Sequence, residues 1–425
     1  MEIDHILGGW QLSGANCACA PQRLSIDGKT VFSFLHSRID GASDDAVEQV
    51  KAHGYHRGGC AVYEGSGLFM HGASSLPFHQ ISRIAANTFR LTTDLVWPKT
   101  TALKSGIELG SVVLGGGWQR YFTIDSQTPQ IAWHDMPASG SAPVAISPLP
   151  AAIVFERADG LRLEFGLGDD LWRWRNAFNS ESLKGAGKLE ISASGGRFTM
   201  RRWVTQCPPP PPPPKLPAKP VPGAHGKLPS AEIPLSYPDA RPYRFNSYIA
   251  WSAPMLQATP SRFEALPSLD CSGANGISRK DLEALEGAPA IALDLRQLPV
   301  PQSNRRTADN AACWCGRATQ RLYRRIIRQL ADFSPSGRLR LDGMTPGWCS
   351  CAAHANRKHD GEHWDLCAII DAAIWTRQIM GDNWEILIPQ TGIWAQLPSL
   401  QCLAGDSGFR GSRLEAEQPD GEDEA

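Results

Sequence analysis

The sequence predicts a multidomain protein: an N-terminal antiparallel β-sandwich, a polyproline linker and a smaller C-terminal α/β (α+β) domain. Three observations carry this reading. Short β-branched and aromatic runs separated by Gly and Pro fill the first half of the chain. An unbroken run of prolines, Pro208 to Pro214, then interrupts it. Beyond the prolines, apolar residues fall at helical spacing and alternate with short strand-like runs. At 425 residues the chain has room for two or three domains, each with its own core.

Residues 1–206 are the expected sandwich. Thr88 to Trp97 is β-branched and aromatic and is closed by Pro98; Ile107 to Leu114 follows, then a triple-glycine turn, then Trp118 to Ile124. Leu161, Leu163, Phe165 and Leu167 alternate with Arg162, Glu164 and Gly166, a period of two that predicts one buried and one wet face. Gly195 and Gly196 separate two further strand runs, and a glycine pair accepts the positive φ angles of a two-residue hairpin. Between strands, Trp172 and Trp174 alternate with Arg173 and Arg175. Rings so spaced can stack on pyranose faces, which makes them candidate substrate-binding residues; packed onto the sandwich they are ordinary core. His53 and His56 near Cys60, read as a loop, are a second group of candidate metal ligands.

Residues 207–232 are the expected linker. Proline fixes φ and donates no hydrogen bond, so the run reads as a semi-rigid polyproline II spacer. Residues 233–403 are the expected α/β domain. Ser278 and Asp281 form a capping-box pattern ahead of Leu282 and Leu285. Ala290 to Leu295 suits a buried strand. Arg317 to Phe333 places Leu322, Ile326, Ile327 and Leu330 on one helical face and a row of arginines on the other. Arg338 to Leu341 reads as a strand, Leu366 to Met380 as a helix and Trp384 to Ile388 as a strand. Residues 404–425 turn polar and then acidic, the composition of a disordered tail.

Composition excludes some classes. The formal net charge of −1 offers no overall pull toward nucleic acid or an anionic membrane. No apolar run approaches the roughly 20 residues of a membrane-spanning helix. The first residues lack the basic start and apolar core of a signal peptide. The expectation is therefore a cytoplasmic chain as written, or an exported one if its leader is missing. The cysteines include three CxC pairs, Cys17/Cys19, Cys313/Cys315 and Cys349/Cys351. Bonding within such a pair is strained, so each cysteine serves as a metal ligand, pairs elsewhere or stays a buried thiol.

The densest cluster of candidate chemistry is Asp342 to Cys367, which holds His354, His359, His363, Cys349, Cys351, Cys367 and Asp365. Zinc takes imidazole, thiolate and carboxylate ligands, and three protein ligands leave a position for an activated water. The stretch His359-Asp360-Gly361-Glu362-His363-Trp364-Asp365 resembles the His…Gly…Asp motif of penicillin-insensitive murein endopeptidases and related zinc D-Ala-D-Ala peptidases. Asp342 to Gly347 resembles the turn that precedes it. The resemblance implies a zinc-dependent hydrolase of cell-wall peptide or glycan. His359 and Asp365 would be zinc ligands; no histidine follows His363, so the third would come from nearby, His354 or His363. Glu362 or His363 would be the general base or transition-state stabiliser, and a polysaccharide or peptidoglycan-like polymer the partner. The alternative is a non-enzymatic carbohydrate- or surface-binding protein in which the Cys/His loop is structural.

Overall fold

In the computed structural model the described residues are 5–7, 10–12, 23–26, 29–34, 38–39, 47–57, 60–71, 74–85, 88–97, 107–108, 112–124, 131–146, 150, 152–166, 187–204, 241–252, 266–269, 271, 273, 276–285, 289–306, 309–349, 351, 363–364, 366–381, 383–389 and 396–401. The chain is mostly β, with two large sheets. The first sheet holds β1 (His5–Leu7), β2 (Trp10–Leu12), β3 (Arg23–Ile26), β4 (Lys29–Phe34), β5 (Arg38–Ile39), β10 (Ile107–Glu108), β11 (Val112–Leu114), β14 (Val144–Ile146), β17 (Gly187–Ser194) and β18 (Arg197–Val204). The second holds β6 (Val47–Arg57), β7 (Cys60–His71), β8 (Ser74–Ala85), β9 (Thr88–Trp97), β12 (Trp118–Ile124), β13 (His134–Asp135), β15 (Ala152–Arg157), β16 (Arg162–Gly166) and β19 (Arg241–Ser252). Every pairing within these sheets is antiparallel.

The two sheets share one core. Leu24, Phe32, Val112, Leu114, Ile191 and Met200 of the first pack against Ile84, Phe89, Ile153, Phe155, Leu163 and Phe165 of the second. The Phe32 and Phe165 rings meet edge to face at 5.7 Å across the sandwich. Gly195 and Gly196 adopt φ of 56° and 75° between β17 and β18, as the hairpin requires. The expected strand over 107–114 is two strands, β10 and β11. His53 and His56 lie in β6, not in a loop.

Two findings change the expected organisation. β18 ends at Val204 and β19 begins at Arg241, so the proline run lies between two strands of the same sandwich. β19, within the range assigned to the second domain, pairs with β9 from Arg241↔Trp97 to Ala250↔Thr88 and with β16 on its other side. The expected wet face of β16 is the second change: Glu164 is fully buried. Ile153, Phe155 and Leu163 point into the sandwich, while Ala152, Val154 and Tyr248 join a second core with the C-terminal part of the chain. A period of two marks alternate faces, and here both faces are covered.

That C-terminal part is a four-stranded parallel sheet with strands β20 (Ser268–Leu269), β21 (Ala290–Asp294), β22 (Gly337–Asp342) and β25 (Trp384–Leu387), in that order. Between them run α1 (Arg279–Glu283), α2 (Arg317–Phe333) and α3 (Leu366–Met380), and α4 (Pro398–Gln401) follows. Spatial order equals chain order, the winding of a β/α barrel segment; a doubly wound sheet reverses its order at a switch point. The Ser278 side chain caps α1 by accepting from the Asp281 amide at 3.1 Å. α2 buries Leu322, Tyr323, Ile326, Ile327 and Leu330, each worth roughly 1.5–3 kcal/mol for an apolar side chain of that size. It stops at Ser334, held extended at φ −141° and ψ 136° by the following Pro335. A two-stranded ribbon, β23 (Trp348–Cys349) with β24 (His363–Trp364), sits between β22 and α3. Among the described residues, no helix is long and apolar enough to cross a membrane.

Candidate functional site

The residues singled out in the sequence are not gathered by the described structure. Trp172, Trp174, His354, His359, Glu362 and Asp365 lie outside the described residues. His363 is placed by its backbone alone, in β24 opposite Cys349. Among the described residues, no group of three or more His, Cys, Asp and Glu can hold a metal ion.

The parallel sheet brings other residues together. Two of its strands end in the same dipeptide, Leu293-Asp294 and Leu341-Asp342, and β20 ends at Leu269, which Asp270 follows in the sequence. The leucines are in register across β20, β21 and β22, and Asp294 pairs with Asp342. In-register parallel partners lie on one face, about 4.8 Å apart. Asp294 and Asp342 therefore stand side by side at the C-terminal edge; Asp270 lies outside the described residues. The leucines beneath them are buried, which fixes the aspartates at the rim of the core.

Each aspartate has an arginine within its own segment. Arg296 donates from Nε to Asp294 Oδ1 at 2.8 Å and from Nη2 to Oδ2 at 3.0 Å. Its backbone amide donates to Asp294 Oδ1 at 3.1 Å, so the carboxylate also caps the 3-10 turn that follows β21. This fork holds the Asp294 carboxyl below its ordinary range and the Arg296 guanidinium above its own. Asp342 adds to the field on Arg296. Arg340, two residues before Asp342 and so on the same face, donates from Nε to both oxygens of Asp342 at 3.1 Å. Asp294, Arg340 and Asp342 keep 24%, 21% and 23% of their side-chain surface open to water, and Arg296 keeps 64%. The cluster is reachable, not sealed.

The turn after β22 brings the two strand ends close. Gly343 has φ +87°, and a Cβ there would sit 2.5 Å from Arg296 Cγ and 2.9 Å from the Arg296 amide nitrogen. The loop beyond is anchored from below: buried Arg306 donates to the Thr345 carbonyl at 2.7 Å, and Met344 is fully buried. These contacts fix the course of the loop that leaves Asp342.

A second charged cluster lies on the sandwich. Glu156 accepts from Arg120, whose guanidinium also lies 4.2 Å over the Trp133 ring, and from Arg162 Nε at 2.8 Å. Burial alone would raise the Glu156 carboxyl, and the two arginine hydrogen bonds outweigh it, so it lies below its ordinary range. Arg162 also donates to Gln396 at 2.5 Å, linking the sandwich to the segment before α4. Glu164 is the deeper link. Its Oε1 accepts from the Tyr248 hydroxyl at 2.5 Å and its Oε2 from the Ser399 amide at 2.8 Å. Burial pushes its carboxyl up.

No family model matches the chain, and no curated protein matches it. It is similar to an α-galactosidase from Lactobacillus brevis, at 6% identity and a TM-score of 0.33 over 90% of this chain and 60% of that one. A GH36 α-galactosidase, AgaA from Geobacillus stearothermophilus, gives 8% identity and a TM-score of 0.29 over 91% of this chain and 63% of that one. A galactose mutarotase related enzyme from Lactobacillus acidophilus gives 6% identity and a TM-score of 0.31 over 60% of this chain and 98% of that one. The chain thus spans about 60% of the length of the α-galactosidases. None of these is a murein endopeptidase or a zinc peptidase. The zinc-hydrolase reading of His359 and Asp365 is corrected accordingly. α3 and β25, which follow that motif in the chain, belong to the parallel sheet unit that begins upstream at β20.

Proposed function

We propose that this chain is a carbohydrate-binding protein that holds a neutral, hydroxyl-rich sugar at the C-terminal edge of its parallel sheet. The observation that carries this reading is the in-register pair Asp294 and Asp342, each beside its own arginine. Two carboxylates and two guanidiniums carry no net charge. An anion would meet the carboxylates and a cation the guanidiniums. A sugar hydroxyl both donates and accepts, so it satisfies both kinds of partner. Hydrogen bonds to ionised groups are about twice as strong as neutral ones. The place supports the reading too, because ligands of parallel α/β sheets bind beyond the C-terminal ends of the strands.

In this proposal Trp172 and Trp174 extend the contact to further units of a polysaccharide. The two-part organisation enters as a sandwich and a sheet unit that share a core, with the proline run of 207–232 as an excursion between β18 and β19. The test is saturation-transfer NMR with a panel of neutral hexoses and their polymers, alongside sugar phosphates and uronates. Binding of a neutral sugar that is insensitive to added salt is the expected result. Preference for the phosphates or uronates, or no sugar bound at all, would overturn the proposal.

A further inference from the structure

Two CxC motifs that sugar binding leaves unused meet in the fold. Cys313 and Cys315 lie in the turn that leads into α2, and Cys351 lies just beyond β23. Cys313 is 0% exposed and Cys351 is 5% exposed; the two pack in one cluster, with Cys315 against it. Both segments are held in place. The Cys313 amide donates to the Asn304 carbonyl at 2.8 Å, and the Gly316 amide donates to the Cys313 carbonyl at 3.0 Å. Arg306, from the first segment, reaches the Thr345 carbonyl of the second at 2.7 Å.

We propose that Cys313 and Cys351 are a dithiol–disulfide pair, a modification site oxidised by small-molecule disulfides such as glutathione disulfide. Two observations select this pairing. Cys313 and Cys315 are too close in sequence to bond without strain. Cys313 and Cys351 come from segments far apart in sequence and are the two buried members of one cluster, whereas Cys315 is only partly buried against it. Of the two, Cys351 is the more exposed and reacts first. Its thiolate attacks one sulfur of glutathione disulfide, that S–S bond breaks, and one glutathione thiolate leaves. The Cys313 thiolate then attacks the Cys351 sulfur of the mixed disulfide, and the second glutathione thiolate leaves. Two protein thiols are oxidised to one disulfide, glutathione disulfide is reduced to two thiols, and the two protons pass to the departing thiolates. The new bond ties the segment just beyond β23 to the turn before α2, so oxidation adds a covalent link between the two segments.

The experiment is peptide mapping of the full chain equilibrated with mixtures of reduced and oxidised glutathione, with remaining thiols alkylated. Tryptic peptides 307–317 and 341–357 carry the two CxC motifs. They are expected to run as one linked species under oxidising mixtures and to separate after reduction. Fragmentation of the linked species is expected to place the bond between Cys313 and Cys351. Cys313→Ser and Cys351→Ser should each abolish the link, whereas Cys315→Ser and Cys349→Ser should keep it. Absence of the link in wild-type protein, or a link that runs through Cys315 or Cys349, would overturn the proposal without reference to any variant's stability. The readout is a peptide mass, so it is independent of whether the chain binds sugar.

Discussion

Asp294 and Asp342 were each visible in the sequence as the polar end of an apolar run, yet nothing local says that they are neighbours. Their recurrence in Leu-Asp dipeptides was the available signal; it becomes a site only when the parallel register sets the strand ends level. Two expectations follow at this scale. Asp294→Asn and Asp342→Asn keep the shape and remove the charge, and each should weaken sugar binding at least about tenfold, or about 1.4 kcal/mol, as titration calorimetry would measure. The pH dependence has a defined sign. The Arg296 fork holds the Asp294 carboxyl below its ordinary value of 3.8. Its ionised form, and the stability it contributes, is therefore complete above pH 3.8 and is lost only as pH falls below that value through the folded-state pKa. Sugar affinity should be level from about pH 7 down to about pH 5 and fall only in stronger acid. Gly343→Ala tests the turn. A left-handed backbone strains any residue with a Cβ, and here that Cβ would meet the Arg296 backbone nitrogen at 2.9 Å. The substitution should cost about 1–3 kcal/mol in denaturant unfolding and displace Arg296 from Asp294.

At the scale of elements, local pattern was most informative where one face is buried and one is wet. α2 spans Arg317–Phe333, as its apolar spacing and the proline two residues beyond it demand. β9 ends at its expected limit before Pro98, and β12 starts at its expected limit after the triple-glycine turn. β16 is the instructive exception. Its alternation marks two faces, but whether the second face is covered depends on α4, which lies far along the chain. Glu164 is thus a buried acid in a position that reads as solvated. Its carboxyl is raised from the ordinary value of 4.5 by burial. The folded state then binds the proton more tightly than the unfolded state, so this group's contribution falls as pH rises above 4.5 toward the folded-state pKa. Glu164→Gln removes that titration while keeping the size. Its stability relative to wild type, from urea unfolding at a series of pH values, should improve as pH rises from about 4 to about 7. A difference that is flat with pH would show that Glu164 titrates alike in the folded and unfolded states.

At the scale of the whole molecule, the proline run was legible as a break, but what it separates was not. Strand pairing between distant segments leaves no local mark, and β19 rejoins the sandwich after the prolines through ladders on both of its edges. The residues placed in one core with the parallel sheet include Phe122, Ile124, Val154 and Tyr248 of the sandwich. Limited proteolysis within 205–240 should consequently yield a nicked protein whose two fragments co-elute in native gel filtration, and separation of folded pieces would contradict the shared core. The sheet unit itself was read as α/β from its alternation of helices and strands. Its order β20-β21-β22-β25, and hence the level row of aspartates, required the fold. The central claim is that this row is where the molecule meets a sugar. The most direct measurement is a crystal structure of the chain with the tightest-binding neutral sugar. The expected result is ligand density at the C-terminal edge, with hydroxyl oxygens within about 3.2 Å of both the Asp294 and Asp342 carboxylates. A sugar bound elsewhere with that edge empty would contradict it.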